Sequence, residues 1–164
     1  MTEVTEAPDF SSALAVRLAA ELYGLNASAG PLPSERDQNF LLAATDGRKF
    51  VLKIANAAEE RAALDLQNRA MDSLAGAEEP LPCPRLIRSL SGREIETAAG
   101  PDGRNHFVRL VTYVDGTPLG TVHPKTRELM ADLGRTMGGI AARLQTFDHP
   151  AARRDFLWDL AKGP

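Results

Sequence analysis

Arg48-Lys49-Phe50-Val51-Leu52-Lys53-Ile54 is the stretch whose reading decides the fold. Alternation places Phe50, Leu52 and Ile54 on one face of a strand and Lys49, Val51 and Lys53 on the other. A lysine in mid-strand beside a valine is unusual if both side chains face water. Two readings of Lys53 stand side by side: an ammonium that meets an anion in a cleft, or a solvated lysine whose stem lies along the sheet.

Immediately upstream, Thr45-Asp46-Gly47-Arg48 predicts a tight hairpin, because Asp-Gly tolerates the positive φ angles such turns need. It joins a strand over 39–44 to the strand over 49–54. The preceding Gly30-Pro31-Leu32-Pro33-Ser34-Glu35-Arg36-Asp37-Gln38-Asn39 is turn-rich. Residues 25–32 make a weaker strand, since Asn26, Ser28 and Gly30 lower its propensity. Before it the pattern predicts a helix with Asp9 or Ser11 as N-cap, Leu14, Leu18 and Leu22 on one stripe, and Gly24 as the stop.

Downstream, residues 58–75 predict a helix with Ala63, Leu66, Ala70, Met71 and Leu74 on its apolar stripe, ended by Gly76. Pro80, Pro82 and Pro84 hold the next segment extended. Residues 85–90 and 93–97 predict a short hairpin about Ser91-Gly92, and a further turn over 99–104 leads into a strand over 106–114. About five strands joined mainly by hairpins make an antiparallel sheet with helices on one side, an α+β fold. Residues 1–8 read as a flexible tail, 9–115 as the sheet-bearing lobe and 116–123 as a hinge or linker. Residues 124–164 read as the start of a second lobe. It opens with a helix over 124–147 on the stripe Leu129, Leu133, Met137, Ile140 and Leu144, followed by a turn at His149-Pro150 and a short helix over 153–160.

A chain of 164 residues is long enough for one domain, or for one small lobe and the start of another. Its 43% hydrophobic and 25% charged residues fit a soluble globular protein rather than a disordered or fibrous one. The net charge of −3 gives no general attraction for nucleic acid or an anionic membrane, so any phosphate binding is local. The single cysteine, Cys83, excludes an intramolecular disulfide, reads as a packing residue and fits a reducing compartment. The acidic start has no signal-peptide pattern, and the apolar runs are too short to span a bilayer. Together these point to the cytoplasm.

Lys53 is the first candidate site residue, with Val51 beside it able to line a base. Ser34, Glu35, Arg36, Asp37, Gln38 and Asn39 form a polar turn whose backbone N–H groups can cover phosphates, although it lacks the G-x-G-x-x-G spacing; the plainer reading is a charged hairpin tip. In the helix over 58–75, Glu60 and Asp65 are candidate acidic partners of the lysine, with Gln67 as a neutral substitute; Glu59 and Glu60 also suit the first turn of any helix. Thr112, Tyr113 and Val114 lead into the linker, where backbone groups can meet a purine edge. The other catalytic sets fail. His106, His123 and His149 are scattered, and there is no G-x-S-x-G elbow, G-x-x-x-x-G-K-[ST] loop or H-E-x-x-H.

Residues 32–40, 50–56, Leu64-Asp65-Leu66-Gln67-Asn68, Leu81-Pro82-Cys83-Pro84-Arg85, 109–116 and 147–160 resemble the aminoglycoside phosphotransferase-like kinases, with the likeness strongest to the hydroxylysine kinases and to the kinase domain that opens certain fused class III aminotransferase proteins. The resemblance runs from about residue 9 to 160. It implies a protein-kinase-like small lobe followed by the first helices of a large lobe. In that reading Lys53 contacts the phosphates of ATP or GTP, residues 34–39 position the nucleotide, and residues 112–114 form the hinge. Where relatives place the glutamate that pairs with the lysine, the matching position here is Gln67; Asp65 and Glu60 stay open as alternatives. The family's later H-x-D-x-x-x-x-N-like loop and metal-binding aspartate do not occur in these 164 residues. The resemblance therefore implies no catalytic residue and no metal ligand in this chain, Mg²⁺ binding only in the complete enzyme, and a small-molecule acceptor recognised elsewhere. Another class of function is an interaction module that docks on a separate large lobe or an aminotransferase. An exposed apolar face on the helix over 124–147 would favour such a partner, or self-association.

Overall fold

A computed structural model describes residues 7–76 and 81–153. The first helix, α1 (Ser12–Tyr23), starts where the Ser11 hydroxyl accepts a hydrogen bond from the Leu14 N–H at 3.2 Å. It stops at Gly24, whose φ of 65° lets its N–H and that of Leu25 turn back onto Ala20 and Ala19 carbonyls. The fully buried face is Ala15, Ala19 and Tyr23, with the leucine stripe Leu14, Leu18 and Leu22 half-buried beside it. Small side chains on the contact line let the helix lie close to the sheet.

Six strands follow: β1 (Ala27–Leu32), β2 (Gln38–Ala44), β3 (Lys49–Ile54), β4 (Leu86–Ile87), β5 (Glu96–Ala99) and β6 (Asn105–Thr112). They form one antiparallel sheet in the order β1-β2-β3-β6-β4, with β5 also paired to β6. The α+β class and antiparallel sheet are as expected from the sequence. The hairpin expected over 85–97 is not formed. Leu86 pairs with Val111 and Glu96 with Val108, so β4 and β5 lie end to end along the same edge of β6. The turn about Ser91-Gly92 exists, with Gly92 at φ 80°, but it closes an outward loop rather than a two-stranded ladder. That loop is gathered by the buried Glu96 carboxylate, which accepts from the Ser89 and Ser91 hydroxyls at 2.6 Å each and from Arg93 at 3.1 Å. The Ser89 hydroxyl, then the Ser91 hydroxyl and the Arg93 guanidinium, hold this carboxyl below the usual glutamate range.

The two sheet faces have different roles. Phe40 and Leu42 of β2, Phe50, Leu52 and Ile54 of β3, and Val108 and Leu110 of β6 form the main core with α1. The opposite face carries Asn39, Val51, Lys53, Phe107, Arg109 and Val111. Here a second helix, α2 (Arg61–Ala75), packs through Leu64 against Ala55, Ile95 and Phe107. Helices therefore lie on both sides of the sheet rather than on one. Because β3 alternates, one side is apolar throughout while the other mixes cations with valine, and each side takes a different helix.

α2 begins at Arg61 rather than 58, because Asn56 first makes a turn of its own: its side-chain oxygen accepts from Ala58 N–H at 2.9 Å and its carbonyl from Glu59 N–H at 2.9 Å. The buried side chains are Ala63, Leu64, Asn68 and Leu74, so the buried face is rotated away from Leu66, Ala70 and Met71. A longer helix, α3 (Arg127–Leu144), is capped by Thr126 and has no fully buried residue. It is shorter than the expected 124–147, since Pro124 and Lys125 precede its cap. A single 3-10 turn, Pro150–Ala152, then packs on α2. The helix expected over 153–160 falls almost wholly outside the described residues, as does most of the tail over 1–8. No helix among the described residues is long and apolar enough to cross a membrane.

Candidate nucleotide-binding face

Asn39, Lys53 and Arg109 sit directly opposite one another on β2, β3 and β6, forming a polar row across one face of the sheet. The half-buried Lys53 ammonium donates to the Asn39 side-chain oxygen at 3.1 Å. The Asn39 amide nitrogen in turn donates to the Ser34 hydroxyl at 3.0 Å, which ties the lysine to the turn over 34–37. Burial, and then the neighbouring Arg109 guanidinium, lower the Lys53 pKa, while Asp37 acts in the opposite direction. No carboxylate among the described residues lies within ion-pair distance of Lys53. A desolvated cation facing a neutral acceptor is an arrangement that gains from an incoming anion.

The polar turn is fastened from beneath. The Asp37 carboxylate accepts from Asn56 N–H at 3.1 Å, and the Asn56 amide donates to the Arg36 carbonyl at 3.4 Å. Gln38 points the other way and makes both of its side-chain bonds to Phe10, accepting from its N–H at 2.7 Å and donating to its carbonyl at 2.9 Å. Ser34, Glu35 and Arg36 remain exposed at the tip. Along the same face Leu41, Val51 and Val111 stand opposite one another on β2, β3 and β6, an apolar strip beside the polar row.

The connector after β6 divides its backbone groups. Thr112 N–H donates to Arg85 at 2.8 Å and its hydroxyl accepts from Arg85 N–H at 2.9 Å, while Tyr113 N–H donates to Lys49 at 3.1 Å. From Val114 to Gly116 no backbone N–H donates within the described residues. Of the three expected hinge residues, Val114 therefore keeps a backbone donor in hand. Lys49 closes this end by pairing with Asp115 at 2.7 Å.

The three candidate lysine partners occupy other positions. Gln67 accepts from the Arg109 guanidinium at 2.6 Å. Asp65 faces away, pairing with Arg69 at 3.5 Å and His149 at 3.1 Å. His149 Nδ1 accepts from Ala151 N–H, so Nε2 carries the proton that goes to Asp65. Glu60 is the exposed N-cap position of α2 and makes no side-chain capping bond.

Arg109 was not singled out by the sequence reading, nor were Asn56 and Asn68. Arg109 is only 2% exposed, and besides Gln67 it donates to the Asn68 side chain at 2.8 Å and the Leu64 carbonyl at 3.2 Å. A legible signal existed: an arginine between Val108 and Leu110, in a strand of apolar residues, must find a dedicated partner if buried. For a cofactor, the lysine, the apolar strip and the open connector suit a nucleotide. The described residues contain no group of three or more histidine, cysteine or carboxylate side chains able to hold a metal ion.

Two solved structures share this fold. An amicoumacin kinase, determined with AMP-PNP, Ca²⁺ and amicoumacin, superposes with a TM-score of 0.72 at 14% identity, covering 92% of this chain and 46% of its own. A microcompartment-associated aminopropanol kinase gives 0.68 at 18% identity, covering 91% and 45%. Among curated proteins, hydroxylysine kinases of Danio rerio and Xenopus laevis are 31% and 32% identical over 96% and 94% of this chain, but over only 46% and 45% of their own lengths. The chain thus spans about half the length of the relatives it matches. The phosphotransferase enzyme family pattern matches residues 28–163, most of the sequence, and the chain belongs to that family.

Proposed function

We propose that these residues form the nucleotide-binding lobe of a small-molecule kinase, one that transfers the γ-phosphoryl of ATP or GTP to a hydroxyl of an amino-alcohol or hydroxylated amino acid. The observation that carries this reading is Lys53: a half-buried ammonium on the open sheet face, held by the neutral Asn39 and bordered by the apolar strip Leu41, Val51 and Val111. A polyphosphate replaces one neutral acceptor with charged oxygens, adding opposite-charge attraction to the hydrogen bond that the ammonium already makes.

In this reading residues 34–39 cover the phosphates, Val51 packs against the base, and the connector at 112–114 meets the purine edge through the Val114 backbone. Asn56, by gripping Asp37 and Arg36, keeps the covering turn at a set height above Lys53. Phosphoryl transfer depends mainly on positioning and charge neutralisation, and these residues supply the positioning on the nucleotide side. A divalent metal held in the complete protein would supply charge neutralisation for the phosphates. Its ligands, the catalytic base and the acceptor site belong in this proposal to residues beyond these 164. The acceptor class is supported by the names of the relatives, hydroxylysine kinase and aminopropanol kinase.

Calorimetric titration with ATP and GTP, with and without Mg²⁺, tests the reading. Binding that is indifferent to Mg²⁺ and weakened at least about tenfold by Lys53→Met is the expected result, matching the loss of a charge-assisted hydrogen bond. Unchanged affinity in Lys53→Met, or no binding at millimolar nucleotide, overturns it.

A further inference from the structure

The segment that carries α3 is fastened to the rest of the chain near both of its ends. At the first, Tyr113 N–H donates to the Lys49 carbonyl at 3.1 Å and the Lys49 ammonium pairs with Asp115 at 2.7 Å. In between, α3 has no fully buried side chain, so apolar packing does little to fix it. Gly139 approaches Leu81 only to ordinary van der Waals contact, since an added β-carbon would stand 3.6 Å from that side chain. At the far end the chain turns back after α3 and sets the half-buried His149 against α2, where Nε2–H donates to the Asp65 carboxylate at 3.1 Å.

His149 uses both ring nitrogens. Nδ1 accepts from Ala151 N–H at 3.1 Å and so caps the 3-10 turn Pro150–Ala152, which requires that Nδ1 carry no proton. The ring's one proton is then on Nε2 and is aimed at Asp65, so a single neutral tautomer serves both bonds. Pro150 follows at the first position of the turn, where its fixed φ suits the geometry and its missing N–H costs nothing. On α2 the receiving carboxylate is set from the other side: Arg69, four residues on, stands 3.5 Å from Asp65 and is itself held by Asp72 at 2.8 Å and by Glu94 of the loop before β5. We propose that His149 is a strap that ties the segment after α3 to α2, so that α3 is held at two points and does not swing about the connector alone. His149 is a positioning residue in this account. If the nucleotide reading proposed above holds, the strap also limits how far the second lobe opens from the face carrying Lys53; the attachment itself does not rest on that reading.

Hydrogen exchange of the nucleotide-free chain, read by mass spectrometry, tests the strap. Asp65→Ala removes the acceptor from a half-exposed position where alanine suits the helix, and leaves His149 able to cap its own turn. Exchange over 127–152 is expected to rise about fivefold, the size that goes with losing one partly exposed hydrogen bond to a carboxylate, while β3 and β6 keep their wild-type rates. Asp72→Ala takes an acidic partner from Arg69 on the same helix without touching His149, and is expected to leave 127–152 at the wild-type rate. Nitrogen-15 spectra of the wild-type chain at about pH 8 are expected to show His149 as the neutral Nε2–H tautomer. Unchanged exchange over 127–152 in Asp65→Ala, an equal rise in Asp72→Ala, or an Nδ1–H tautomer overturns the strap. A chain that binds no ATP removes the nucleotide reading and leaves the strap standing, because none of these measurements uses nucleotide.

Discussion

Lys53 keeps its charge on a half-buried sheet face with one neutral acceptor and an arginine as its cross-strand neighbour, an arrangement that costs stability in the absence of an anion. Burial first and Arg109 second hold its pKa below the ordinary lysine value of 10.5. Between that lowered value and 10.5 the unfolded chain binds more protons here than the folded one, so stability rises with pH across this window. Lys53→Met removes that rise. Urea midpoints measured from pH 7 to 10 check this: the wild-type chain gains relative to the variant as pH climbs, and parallel curves would contradict it. The same side chain that weakens the empty fold is the one proposed to receive phosphate, a common relation between stability and function.

At the scale of single elements, α1 shows how a cap sets where a helix can pack. Gly24 sits at φ 65°, and a β-carbon there would lie 3.4 Å from the exposed Leu90 side chain, which is free to give way. The strain of Gly24→Ala therefore comes from the backbone, at roughly 1 kcal/mol, and lowers the melting temperature by about 2–4 °C. Thermal unfolding followed by circular dichroism measures it, and an unchanged midpoint would mean that the cap is not left-handed in solution. The neighbouring loop makes a complementary point. Ser89, Ser91 and Arg93 converge on Glu96, so a segment with strong turn residues becomes an excursion from the sheet edge instead of a hairpin.

Across the whole molecule, order is concentrated in the sheet. β3 and β6 lie in its centre, whereas α3 has no fully buried residue and exposes 57% of Met137. Amides of α3 should therefore exchange at least about a hundredfold faster than those of β3 and β6, since local opening follows burial and contact. Equal protection in α3 would show that a partner or a second copy covers it in solution.

What the sequence determined by itself is the set of features that depend on a few neighbouring residues. The alternation in 48–54, the Asp-Gly turn, the Ser11 and Gly24 boundaries and the placement of Lys53 on the non-core face were all legible, because side-chain period and capping chemistry are local. The choice of partners was not. Lys53 and Arg109 are far apart in sequence, and only the register of β3 against β6 makes them neighbours. The same register gives Gln67 to Arg109, sends β4 and β5 to one edge of β6, and lays α2 on the face opposite α1. Those outcomes depend on which buried polar groups can be satisfied together, a condition set by the assembled fold and not by any one segment.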